Sequence, residues 1–162
     1  MPQNKPVTIL IINEHAEEIK LVTISLRGFF PDCRIDVAYS AEEAATMASA
    51  TEPGWAIALI DDGCLNETSS AFIEDLRQRT PYAAVLLQSA RTDSASALQA
   101  LQIGADYFLC KQSPAFLTEL LFCLKEALDK RDLRLAVDRA EVRHRQLVES
   151  LNDVRVDNLF QL

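Results

Sequence analysis

At 162 residues, with 49% hydrophobic and 25% charged side chains, the chain is sized for one domain with a real core plus an extension, and its composition leaves no room for extensive disorder. A formal net charge of −8 and a pI near 4.7 argue against a direct nucleic-acid face, because such faces concentrate Lys and Arg. The cysteines Cys33, Cys64, Cys110 and Cys123 show no CxxC and no paired spacing, and nothing resembles a signal peptide or a membrane span, so a cytoplasmic chain with reduced thiols and no membrane contact is expected.

Taken in order, Val7-Thr8-Ile9-Leu10-Ile11-Ile12 is a β-branched run that predicts a strand ending at the polar Asn13-Glu14-His15. Over residues 16–29, Ile19, Val22, Leu26 and Phe29 recur at helical spacing, with Glu17, Glu18 and Lys20 on the other side, which predicts an amphipathic helix stopping before Pro31. Residues 34–38 alternate like a strand. Ser40-Ala41-Glu42-Glu43 has the form of a capping box opening an alanine-rich helix that runs to about residue 51, where Pro53-Gly54 breaks it.

The next stretch, Trp55-Ala56-Ile57-Ala58-Leu59-Ile60, is an uninterrupted apolar run that stops abruptly at Asp61-Asp62-Gly63. So short a run suits a central parallel strand buried on both faces. A polar loop over 64–70 leads into a helix carrying Ala71, Phe72, Ile73 and Leu76, closed by Thr80-Pro81. Residues 83–88 predict a fourth strand ending at Ser89, and Asp93-Ser94 opens a helix carrying Ala97, Leu98 and Leu101 that ends at Gly104. Tyr107-Phe108-Leu109-Cys110 is a fifth strand ending at Lys111, and Ser113-Pro114 caps a long final helix. Five strands alternating with five helices call for an α/β fold, a parallel sheet covered on both faces through right-handed crossovers.

Open sheets of this kind place ligands at the carboxyl ends of their strands. Collected there are Asn13 and Glu14, Asp61 and Asp62, Ser89, and Lys111. Two or three oxygen donors suit Mg²⁺, which keeps waters and takes few protein ligands. A carboxylate beside such a metal can attack a phosphoryl group and form an acyl phosphate, while a lysine and a hydroxyl neutralise and hydrogen-bond the transferred oxygens. Asp61 directly ends its strand; Asp62 reads as a loop acid. His15 and His144 face solvent on this reading, with no other ligands beside them, and Trp55 is packing at a strand start. A flavin or dinucleotide domain of the same topology is disfavoured because no glycine-rich loop follows the first strand.

Over about residues 5–128 the chain resembles the receiver domain of two-component response regulators. The resemblance rests on Ile9-Leu10-Ile11-Ile12-Asn13-Glu14, on Ala58-Leu59-Ile60-Asp61, on Leu87-Gln88-Ser89-Ala90, and above all on Gly104-Ala105-Asp106-Tyr107-Phe108-Leu109-Cys110-Lys111. It implies a flavodoxin-like doubly wound sheet of strand order 2-1-3-4-5. It also implies that Asp61 is the phosphoacceptor, Glu14 a metal ligand, and Asn13 a contact to the metal through water. Gly63 then offers its backbone carbonyl to Mg²⁺, Ser89 is the switch hydroxyl, Phe108 the switch aromatic and Lys111 the phosphate-pairing cation. The implied partner is a histidine kinase or phosphotransfer protein, and no enzymatic activity is implied beyond the domain's own phosphotransfer. The chain departs from the pattern where the usual acid pair is Asn13-Glu14, in the loop after Asp61, and at Gln112, where a proline is usual. These departures keep open a second reading, a pseudo-receiver that acts as a phosphorylation-independent interaction or dimerisation module.

In the final helix Leu117, Leu121, Leu124 and Leu128 form a first seam; Leu133, Val137, Ala140, His144, Leu147, Leu151 and Val154 then repeat with spacings of four and three. That is a heptad seam flanked by charges, and the phase shift after Leu128 marks a change from packing on the sheet to packing on a partner helix. A receiver domain over 1–128 followed by a helical, dimerising linker over 129–162 is expected. Residues 143–151 resemble the helical lead-in to a PAS sensory domain, and an output or PAS domain beyond Leu162 is the corresponding expectation.

Overall fold

A computed structural model describes residues 5–52, 54–91 and 93–160, with the side chain of Phe160 left aside; Pro53, expected above as a helix breaker, lies outside the described residues. The chain divides into two compact units, Met1–Leu128 and Asp129–Leu162.

The chain alternates strand and helix in the order β1 (Thr8–Ile12), α1 (Ala16–Phe29), β2 (Arg34–Ala38), α2 (Ala41–Ala48), β3 (Ile57–Asp61), α3 (Ser69–Arg79), β4 (Ala84–Ser89), α4 (Ser94–Ile103), β5 (Tyr107–Cys110) and α5 (Phe116–Phe160). All neighbouring strands pair in parallel, in the order β2-β1-β3-β4-β5, so the expected 2-1-3-4-5 sheet is the one observed. β1, β3 and β4 are buried along their whole length, which is why they read as continuous apolar runs rather than alternating ones.

The pleat divides the core in two. Leu10, Ile12, Ala58, Ile60, Val85 and Leu87 pack with Ala44 of α2, Phe72, Ile73 and Leu76 of α3, and Ala100 of α4. Their odd-numbered neighbours Ile9, Ile11, Ile57, Leu59 and the residues Ala84, Leu86 and Leu109 pack with Val22 and Leu26 of α1 and with Leu120, Leu124 and Ala127 of α5. Successive strand residues face opposite sides, so α1 and α5 cover one face and α2, α3 and α4 the other.

Local signals act largely as anticipated. Ser40 Oγ accepts from Glu43 N at 3.1 Å and caps α2, but the Glu43 carboxylate reaches back to Tyr39 N at 3.0 Å instead of to Ser40 N. Asp93 caps α4 by accepting from Ser96 N at 2.8 Å. Gly104 ends α4 with φ 85, the left-handed conformation that favours glycine. Trp55 is buried and donates its indole N–H to Asp36 at 2.8 Å.

Three expectations need correction. α4 buries Ser96 and Ala100 while Leu98 and Leu101 are exposed; small residues let the helix sit close to the sheet. The inward stripe at the start of α5 is Leu120, Leu124 and Ala127, with Leu117, Leu121 and Leu128 only partly covered, a rotation by about one residue. Phe29 is exposed rather than inward on α1.

In the second unit, residues 129–160 continue α5 as regular helix. Leu133, Val137, Leu147, Leu151 and Val154 stand exposed along it. Among the described residues no helix is long and apolar enough to cross a membrane.

Candidate functional site at the carboxyl ends of the strands

Asp61 is the last residue of β3 and is only 1% exposed. A buried carboxylate must be paired and hydrogen-bonded to persist as a charge. Asp61 is both: its Oδ1 meets Lys111 Nζ at 2.5 Å and its Oδ2 accepts from Gly63 N at 3.1 Å. The chain delivers Lys111 because β5 ends at Cys110 and Lys111 N still donates to Ser89 O at 2.8 Å. Lys111 therefore starts from a backbone position locked to β4, and its stem runs back to β3.

The Lys111 ammonium is shared. It also contacts both carboxylate oxygens of Glu18, in the first turn of α1, at 3.2 Å each. Burial alone lowers the Lys111 pKa, but the bonds to Asp61 and Glu18 together outweigh it and the pKa is raised. Glu18 behaves in mirror image: burial raises its pKa, and bonds from Asn13 and Lys111 reverse that, leaving it lowered.

Asn13, fully buried at the end of β1, supports this pair. Its Nδ2 donates to Glu18 Oε2 at 2.9 Å, and its Oδ1 accepts from His15 N at 2.8 Å. A continuous chain thus runs from the β1–α1 turn through Asn13 and Glu18 to Lys111 and Asp61. One amide lone pair of Asn13 remains for a water.

After Asp61 the chain makes a single 3-10 turn, Asp62–Cys64, closed by Leu65 N donating to Asp62 O at 3.2 Å. Gly63 sits inside a carboxylate corner: a Cβ there would come 2.9 Å from Asp61 Oδ2 and 3.8 Å from Glu14 Oε1. Glycine keeps that corner open. Cys64 lies just behind it, its thiol pushed up to about 11 by burial first and then by the charges of Asp61 and Glu14.

Asp62 does not simply face solvent. Its Oδ2 accepts from Ser89 Oγ at 2.5 Å, and Ser89 Oγ in turn accepts from Arg91 N at 2.9 Å. Ser89 is fully buried at the end of β4. Phe108 is half-buried against the α2, α3 and α4 side of the core.

Asp61, Lys111, Ser89, Asn13, Glu14 and Gly63 are therefore gathered at one edge, with Phe108 on β5, the strand that leads to Lys111. His15 and His144 are exposed, in line with their solvent-facing assignment. One participant escaped the sequence reading: Glu18 reads as one of two acids on a polar helix face. Asp62, collected at the strand end but read as a loop acid, instead holds the Ser89 hydroxyl. Only the fold brings Glu18 against a residue 93 positions away. Among the described residues no group of three or more His, Cys, Asp or Glu is gathered to hold a metal. The corner around Gly63, flanked by the carboxylates of Asp61 and Glu14, nonetheless matches the donor chemistry of Mg²⁺, a cation commonly held by one or two carboxylates and otherwise by water.

No family model matches the chain, and no curated protein matches it. Solved structures do. A CheY-like response regulator receiver domain protein from Methanospirillum hungatei superposes with a TM-score of 0.64 at 18% identity, covering 80% of this chain and 99% of that one. A two-component response regulator from Clostridium difficile gives 0.60 at 21% identity, covering 77% and 97%. A structure described as an adenylate cyclase from Rhodopirellula baltica gives 0.66 at 16% identity, covering 83% and 96%. The chain has the fold of a response regulator receiver domain.

Proposed function

We propose that this chain is a phosphoreceiver, in which Asp61 accepts a phosphoryl group from a phosphohistidine of a histidine kinase or phosphotransfer protein and relays the change to an output domain. The observation that carries the reading is the buried Asp61 carboxylate paired with Lys111 at 2.5 Å, on the strand next to Ser89. An Asp61 oxygen attacks phosphorus, the P–N bond breaks with its electron pair going to the ring nitrogen, and the departing imidazole takes up a proton from solvent.

Lys111 keeps the negative charge of Asp61 stable before transfer and pairs with a phosphoryl oxygen after it. Glu14, Asp61 and the Gly63 carbonyl would hold Mg²⁺, with Asn13 in contact through water; when bound, the ion neutralises and orients the phosphoryl oxygens. Ser89 offers its hydroxyl proton to a phosphoryl oxygen and Phe108 follows it, carrying the event to the surface around α4 and β5. The exposed apolar seam of α5 supports a homodimer as the form that delivers the signal.

Intact-mass measurement after incubation with acetyl phosphate and Mg²⁺ tests the reading. The expected result is a gain of one phosphoryl group that hydroxylamine removes, as it does acyl phosphates, and that Asp61→Asn abolishes. A chain whose mass stays unchanged is not a phosphoreceiver. One observation favours a second reading, the pseudo-receiver: Asn13 is bonded at both ends and Lys111 is already shared between two carboxylates, so the site is internally paired.

A further inference from the structure

The Ser89 hydroxyl has a single proton, and in this structure that proton is spent. Ser89 Oγ donates to Asp62 Oδ2 at 2.5 Å and accepts from Arg91 N at 2.9 Å. Ser89 is fully buried, so no bulk water replaces either partner. A phosphoryl group on Asp61 presents only acceptor oxygens, which makes the Ser89 proton the one thing it can take from that side chain. The proton cannot serve Asp62 and the phosphoryl group at once. Asp62 is also held in place, since its carbonyl closes the 3-10 turn Asp62–Cys64 by accepting from Leu65 N at 3.2 Å.

From this geometry we infer that Asp62 is a positioning residue that latches the Ser89 hydroxyl away from the phosphorylation site, so that its carboxylate sets how readily the chain enters the phosphorylated arrangement. The inference rests on the phosphoreceiver reading. A phosphoryl group must draw Ser89 off Asp62, and its affinity for the site is reduced by the free energy of that bond. The bond is charge-assisted, and bonds of this kind are worth enough that removing the competitor should tighten phosphoryl-analogue binding about tenfold.

The test is a titration with beryllofluoride and Mg²⁺, followed through the amide resonances of Ser89 and Arg91, on the wild-type chain, Asp62→Ala, Asp62→Asn, Ser89→Ala and the double variant Asp62→Ala/Ser89→Ala. Asp62 is only partly buried and closes its turn through the backbone carbonyl rather than the side chain, so the fold should tolerate both of its replacements. The expected result is about tenfold tighter binding by Asp62→Ala, a smaller gain for Asp62→Asn, which keeps an uncharged acceptor, and no gain from Asp62→Ala in the Ser89→Ala background. Equal tightening in both backgrounds would show that Asp62 acts by charge repulsion alone and overturns the latch. Unchanged or weaker binding by Asp62→Ala overturns it too and leaves Asp62 as a strut. Absence of binding in every folded variant, wild type included, overturns the phosphoreceiver reading itself, and the latch falls with it.

Discussion

At the scale of the single residue, Lys111 is the hinge of the site, and its two partners differ in what they depend on. Asp61 is 2% exposed at its side chain and Glu18 38%. Removing Lys111 leaves Asp61 buried without a counter-charge, whereas neutralising Glu18 removes one arm of a bond that water already screens. Lys111→Met should lower unfolding stability by about 3 kcal/mol. Glu18→Gln should cost about 1 kcal/mol or less, because the new amide oxygen still accepts from Asn13. Urea denaturation with unchanged slope gives both values; equal losses would mean that Glu18, and not Asp61, is the partner that matters to Lys111. The two residues also show where sequence reading stops. Asp61 and Lys111 were legible because one ends a strand and the other directly follows one, and strand ends converge in a parallel sheet. Glu18 was not, because Glu17 and Glu18 are chemically equivalent until the packing of α1 decides which reaches inward.

At the scale of the element, the chain's strands were more legible than its helix faces. β1, β3 and β4 are apolar on both faces because both are covered, and no choice of face had to be made. A helix has one inward stripe, and large residues do not always occupy it. α4 turns Ala100 and Ser96 inward and leaves Leu98 and Leu101 outside; leucine counts alone point the wrong way there. Caps were legible because they are local chemistry. Ser40 accepts from Glu43 N, and the Glu43 carboxylate fastens the turn by accepting from Tyr39 N. Ser40→Ala should therefore cost about 1 kcal/mol, read as a lower denaturation midpoint with faster amide exchange at the start of α2. A loss confined to global stability, with no change in exchange there, would place the effect outside the cap.

At the scale of the whole chain, the unit Asp129–Leu162 poses a separate energetic problem. A lone helix in water is marginal, and an exposed apolar stripe adds nothing until something covers it. Leu133 at 67%, Leu147 at 64% and Leu151 at 68% exposure recur with Val137 and Val154 at the four-three spacing of a two-stranded coiled coil. Pairing with a second copy would bury that stripe and leave the flanking Arg, Asp and Glu residues in solvent. The chain should thus show twice its monomer mass by light scattering at micromolar concentration, and Leu147→Lys with Leu151→Lys should return it to monomer while leaving the sheet's circular dichroism intact. A monomer mass that does not change with concentration removes the dimer, and the stripe must then be covered by some other partner.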